Sequence, residues 1–198
     1  MWSAMPPYKA DLDARLQRSI DLKYGSDKAM RKLYGFEGSV ILQEHCDDGF
    51  EILNSVAEFF NLQYRSIHVV GSAHTGYSYF KGRDFIAKKS DLDLAIIDAE
   101  LFRQYSEHAF VATKGYTDLT NFADGNFQTF RDYLVRGIFR PDLMPGCTHK
   151  QRWFTFFNRL SGKYLALFEN INCGIYLSDQ FFETKQAPIL SEFKKAQA

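Results

Sequence analysis

A mixed α/β or α+β fold is what the sequence predicts, on three observations. Two short apolar runs, residues 66–70 and 92–97, are rich in β-branched residues and read as buried strands. Stretches with apolar residues three and four positions apart stand before, between and after them and read as helices. The total of 198 residues fits one domain, with N-terminal helices over about 10–61 and helical additions at the C-terminal end.

Taken in order, residues 10–33 follow the Pro6-Pro7 pair and carry Leu12, Leu16, Ile20 and Leu22 at roughly helical spacing, with a break near Gly25. Residues 47–61 put Phe50, Leu53, Val56, Ala57 and Phe60 on one helical face. The strand 66–70 ends at Gly71, and a helical turn is expected within 72–79. The polar, basic stretch 81–89 reads as a loop or hairpin. After the strand 92–97, Asp98 is a good N-cap for a helix over 99–109. Residues 111–121 have no clear period. A helix over 127–137 stops before a turn marked by Pro141, Pro145 and Gly146. Helix is expected again over 151–160, strand-like pieces at 164–168 and 171–177, and helix from Asp179 with an interruption at Pro188.

Composition excludes several function classes. Twenty-four basic and 24 acidic residues leave no net charge, so any contact with nucleic acid or nucleotide needs a local basic patch. At 45% apolar and 16% aromatic, with 19 phenylalanines, the chain can bury an aromatic-rich core. Cys46, Cys147 and Cys173 lie far apart without C-x-x-C spacing, which argues against a disulfide scaffold or a structural zinc and fits a reducing cytosol. Cys147 and His149 are neighbours, but no further ligand accompanies them. The N-terminal segment lacks the apolar core of a signal sequence, and no run is long enough to span a membrane. A cytoplasmic protein is expected.

The chemistry concentrates in residues 69–97. In a strand, side chains two apart share a face, so Asp91 and Asp93 project together, opposite Leu92 and Leu94. Two carboxylates this close repel unless a cation sits between them. A divalent ion such as Mg²⁺ takes hard oxygen ligands and substrate phosphates. Gly71-Ser72, at the junction of a strand and a helical turn, offers the complementary half: close backbone approach, free N–H groups and a hydroxyl, all suited to an anion.

Val69-Val70-Gly71-Ser72 followed by Ser90-Asp91-Leu92-Asp93-Leu94 resembles the signature of the DNA polymerase β-like nucleotidyltransferase superfamily. The resemblance covers about thirty residues strictly. It implies a small mixed β-sheet of the nucleotidyltransferase type with flanking helices. It also implies an NTP substrate, Mg²⁺ (or Mn²⁺) held by Asp91 and Asp93, and a nucleotide bound by Gly71, Ser72 and Ser90.

Two departures stand out. Gly71 and Asp91 are twenty positions apart, and the insertion between them carries Lys81, Arg83, Lys88 and Lys89 interleaved with Tyr77, Tyr79, Phe80 and Phe85. Such residues suit phosphate contact and base stacking, or equally a solvated hairpin whose aromatics pack on the core. The superfamily's third carboxylate sits on a later apolar strand. Here that strand has Asn172 and Cys173 at its centre, with Glu169 and Asp179 only at its ends. Arg140 either pairs with Asp142 in a turn or reaches the triphosphate as an anion clamp. His74, just past Gly71-Ser72, is expected half exposed or on a phosphate.

The function expected is nucleotidyl transfer from an NTP to an RNA or tRNA end, a protein hydroxyl or a small molecule. The alternative is a catalytically weak, nucleotide-binding regulatory subunit, with a protein partner in an operon-encoded toxin–antitoxin or phage-defence (antiviral) complex. No membrane partner is expected.

Overall fold

Residues 8–123 and 126–197 are described by the computed structural model, and the Pro6-Pro7 pair lies outside them. α1 (Tyr8–Asp21) turns Leu12 and Leu16 inward, and Gly25 stands as N-cap of α2 (Ser26–Met30), where the break was expected. A π-helical turn, Arg31–Phe36, leads to α3 (Val40–Glu44) and α4 (Cys46–Phe60). α3 is not foreseen in the sequence. Its N-cap Ser39 accepts from the Leu42 N–H at 3.1 Å and donates to the distant Ala73 carbonyl at 2.7 Å, so the helix start depends on tertiary contact.

β1 (Ile67–Val70) runs directly into α5 (Gly71–Thr75). The basic insertion folds as a small antiparallel hairpin, β2 (Tyr77–Ser78) with β3 (Arg83–Asp84). β4 (Leu92–Ile97) has the expected bounds, and Asp98 Oδ1 accepts from the Leu101 N–H at 2.7 Å to cap α6 (Ala99–Ala112). Then come α7 (Asn126–Leu134), β5 (Ile138–Phe139), α8 (Thr148–Lys163) and β6 (Ile171–Tyr176). The chain ends in α9 (Asp179–Gln186) and α10 (Pro188–Gln197), split at Pro188, where a proline is tolerated in the first helical turn.

One expectation is corrected. Residues 164–168 form a turn, not a strand, because α8 continues to Lys163 and the backbone then folds back. The Leu167 and Phe168 N–H groups both donate to the Tyr164 carbonyl, and the Tyr164 and Phe168 side chains plug the core. Their aromatic character serves burial and not pairing.

The main sheet is mixed, in the order β1-β4-β6-β5: β4 pairs antiparallel with β1 and parallel with β6, and β5 pairs antiparallel with β6. Each face carries its own core. Leu92, Leu94 and Ile96 pack against α3, α4, α6 and α8 on one side. Ala95 and Tyr176 meet α1, α2, α9 and α10 on the other. Aromatic rings fill the first core edge to face, as their quadrupoles favour: Phe139 meets Phe102, Tyr105 and Phe130 at interplanar angles of 85°, 67° and 88°. Among the described residues no helix is long and apolar enough to cross a membrane.

Candidate functional site

β1 ends where β4 and β6 begin, and a cavity of about 590 Å³ opens at that end of the sheet. The strand parity explains which side chains reach it. Leu92 and Leu94 are taken by the first core, so Asp93 points to the other face, between Val70 of β1 and Asn172 of β6 in register. There Gly71 leaves room for it. Gly71 has φ of +66°, a conformation that costs an L side chain energy, and a Cβ added to it would lie 3.0 Å from Asp93 Oδ2. The turn from β1 into α5 thus favours glycine, and a Cβ there would also press on the carboxylate.

Asp93 is electrostatically unsettled. Burial pushes its carboxyl above the ordinary range and the nearby Asp91 pushes it further, while Asn172, Lys81 and Arg140 pull it back. Asp91 lies just before β4 and accepts from Asn170 Nδ2 at 3.1 Å. Across the cavity, Arg140 donates through Nε and Nη2 to Asp142 at 2.7 and 2.5 Å and lies 5.0 Å from the Tyr133 ring centroid. Its pairing with Asp142 is the turn-forming alternative read from the sequence, and the guanidinium faces the cavity while so paired. Lys185 of α9 adds a second cation, 5.7 Å from the same Tyr133 ring.

Of the residues singled out in the sequence, Gly71, Asp93 and Arg140 line this cavity, while Asp91, Ser72, Ser90, Lys81, Arg83 and Lys88 stand outside its wall. Ser72 is partly exposed in the first turn of α5, and its carbonyl accepts from the Gly76 N–H. Ser90 is buried and braces the loop: its Oγ accepts from the Ile86 N–H at 3.0 Å, and its carbonyl accepts from the Glu169 N–H. Lys81 and Arg83 are exposed on the hairpin, close enough in the case of Lys81 to act on Asp93. Lys88 is exposed with φ of +65°, and its N–H donates to the Leu167 carbonyl.

His74 is corrected outright. It is 2% exposed, with Nε2 at 2.7 Å from the Leu33 carbonyl, because the π-helical turn closes over it. Burial lowers its pKa to about 4, so it is a neutral core side chain turned away from any phosphate.

The position across from Asp93 on the later strand is Asn172, and Glu169 and Asp179 are exposed at either end of β6. Among the described residues no group of three or more His, Cys, Asp or Glu side chains is arranged to hold a metal ion. A metal held as the resemblance implies would have Asp91 and Asp93 as its protein donors, with no third such side chain grouped with them among the described residues. Two carboxylates, one of them raised by burial and then by its neighbour's charge, suit a hard divalent ion that takes its other ligands from phosphate and water; they do not suit an ion caged wholly by protein.

Sequence reasoning missed Tyr133, Phe154, Asn158 and Lys185, all on the cavity wall. A signal existed for two of them. Trp153, Phe156, Phe157 and Leu160 define the buried face of α8, and Phe154 falls off that face, one turn before Asn158. An aromatic residue out of phase with its own helix is an exposed one.

No protein-family model matches the chain, and no match is found among curated proteins or solved structures. What the fold and cavity define is a mixed α/β protein with a charged cleft at the end of a four-stranded sheet.

Proposed function

We propose that the protein binds a nucleoside triphosphate with Mg²⁺ (or Mn²⁺) and transfers its nucleoside monophosphate to an acceptor hydroxyl. The observation that carries this reading is the apposition of Gly71 and Asp93 on the cavity wall, with a would-be Cβ only 3.0 Å from the carboxylate oxygen. Backbone and carboxylate are offered to one ligand, which is what a metal-bound triphosphate requires. Asp91 and Asp93 would hold the ion, whose charge would offset that of the phosphates when bound.

The chain's own residues do the rest. Gly71 and Ser72 approach the phosphate tail, Arg140 and Lys185 neutralise it from the opposite wall, and Lys81, Arg83 and Lys88 add positive charge at the hairpin. The acceptor oxygen bonds to the α-phosphorus as the α–β bridge bond breaks, pyrophosphate leaves, and the hydroxyl proton passes to solvent. Positioning supplies most of the rate. The acceptor is an RNA or tRNA end, a protein hydroxyl or a small molecule.

A second reading is favoured by one residue. Asn172 stands opposite Asp93, where the resemblance implies a third acid. A site with two carboxylates in place of three fits a nucleotide-binding regulatory subunit with weak turnover, working with a partner in a toxin–antitoxin or phage-defence complex.

Incubation with each α-labelled NTP, Mg²⁺ and RNA or protein acceptors separates the readings. Transfer that is lost in Asp91→Ala and Asp93→Ala is the expected result. Binding without transfer to any acceptor, with turnover appearing in Asn172→Asp, selects the regulatory reading. If no NTP binds, both fail.

A further inference from the structure

The cavity straddles the end of the sheet, and its two sides differ in chemistry. On the side of α9 stand charges: Asp93, Arg140, Asp142 and Lys185. On the side of α8 the wall is neutral, made of Trp153, Phe154, Phe157, Asn158 and Ser161. Trp153 and Phe157 are buried in the first core, and Ser161 is committed internally, donating to the Phe157 carbonyl and accepting from the Ile171 N–H at 2.8 Å each. Phe154 and Asn158 remain. Both are exposed, one helical turn apart on α8, so ring and carboxamide address the same space.

We infer that Phe154 and Asn158 form a nucleobase subsite, which orients the ligand with its base on α8 and its phosphates toward Asp93, Arg140 and Lys185. This rests on the nucleotide-binding reading of the same cavity. A planar heteroaromatic ring stacks on Phe154 in a sequence-tolerant way, because every base has a π-face. The Asn158 carboxamide presents one donor group and one acceptor side by side, the complement of the adjacent donor and acceptor on a base edge. A phosphate has no use for such a wall: it offers neither cation nor backbone N–H cluster. A cavity of about 590 Å³ lies within the range of small-molecule and cofactor sites.

The test is a titration of wild type, Phe154→Ala, Asn158→Ala and Lys185→Ala with each of the four NTPs and with inorganic tripolyphosphate, all with Mg²⁺. Phe154→Ala and Asn158→Ala are expected to weaken NTP binding about tenfold each and leave tripolyphosphate binding unchanged. Lys185→Ala should weaken both ligands, and Phe154→Tyr should restore NTP binding. Thermal melts identify any variant that fails to fold, and the Tyr replacement keeps the ring test usable in that event. If Phe154→Ala and Asn158→Ala bind NTP as wild type does while Asp93→Ala does not, the base lies elsewhere and the subsite is overturned with the nucleotide reading intact. If wild type binds tripolyphosphate and NTPs equally, no base subsite exists. If it binds no NTP, the underlying reading fails and takes the subsite with it.

Discussion

His74 displays at the level of one residue how position in the chain and position in the fold part company. Two places after Ser72, it is a natural candidate for phosphate contact. Its ring instead lies tilted against Tyr34, with centroids 4.7 Å apart, and spends a nitrogen on the Leu33 carbonyl. The consequence is acid sensitivity. The unfolded imidazole takes a proton near pH 6.5, whereas the folded one resists down to about 4. Below 6.5 the unfolded state therefore binds more protons, and stability falls as pH drops from 6.5 to 4, by a total of about 3 kcal/mol from this group. Urea titrations at several pH values across that window should give a steeper loss for wild type than for His74→Gln, whose amide can still donate to Leu33. Equal slopes would place the acid sensitivity elsewhere. Gly71 is the opposite case, because its place after β1 already signals a turn, and the structure adds only the carboxylate that presses on it.

Among the elements, the β2–β3 hairpin carries the long insertion, and its aromatic residues divide between the two cores and the surface. Tyr77 and Tyr79 pack on the second core and Phe85 on the first, while Phe80 is 67% exposed and reaches the cavity wall. The hairpin is strapped down from α1: Tyr79 donates to Asp13, and Lys9 pairs with Asp13 at 2.8 Å and lies 5.5 Å from the Tyr79 ring centroid. Burial, followed by the bond to Asp13, raises the Tyr79 phenol well above its ordinary range, so it stays protonated as the donor. Replacing Tyr79 by Phe should cost about 1–2 kcal/mol in thermal or urea unfolding and speed tryptic cleavage at Lys81. Adding Asp13→Ala should cost less than the two separate losses summed, since either change alone removes the same bond. Full additivity would mean the strap does not exist.

For the whole molecule, the sheet divides two cores, and the second is built from both ends of the described chain. Leu12 and Leu16 of α1 meet Ile189 and Phe193 of α10, with Phe182 of α9 between the helices and the sheet. Phe193 is 2% exposed, so Phe193→Ala should cost about 3–5 kcal/mol through lost burial and the cavity left behind. Trp153 sits in the first core and, in a Trp2→Phe background, reports on it by fluorescence. If the cores unfold together, the Phe193→Ala shift seen by Trp153 fluorescence will coincide with that in far-UV circular dichroism. A lagging fluorescence transition would mean that the two faces unfold separately.

Read from the sequence alone, β1 and β4, the Asp98 cap and the breaks at Gly25 and Pro188 are all determined. Each depends on periodicity, capping or backbone restriction within a few residues. The turn at 164–168, the burial of His74 and the start of α3 are not, because distant groups decide them: the core for Tyr164 and Phe168, Leu33 for His74, Ala73 for Ser39. The cavity belongs to the second kind. Asp91 and Asn170 meet across 79 positions, and Tyr133, Phe154, Asn158 and Lys185 come from three helices that only the packing on the sheet brings to its end. Local pattern specifies which way a side chain faces along its own element, whereas its neighbours in space are chosen by how the elements share the burial of two apolar faces.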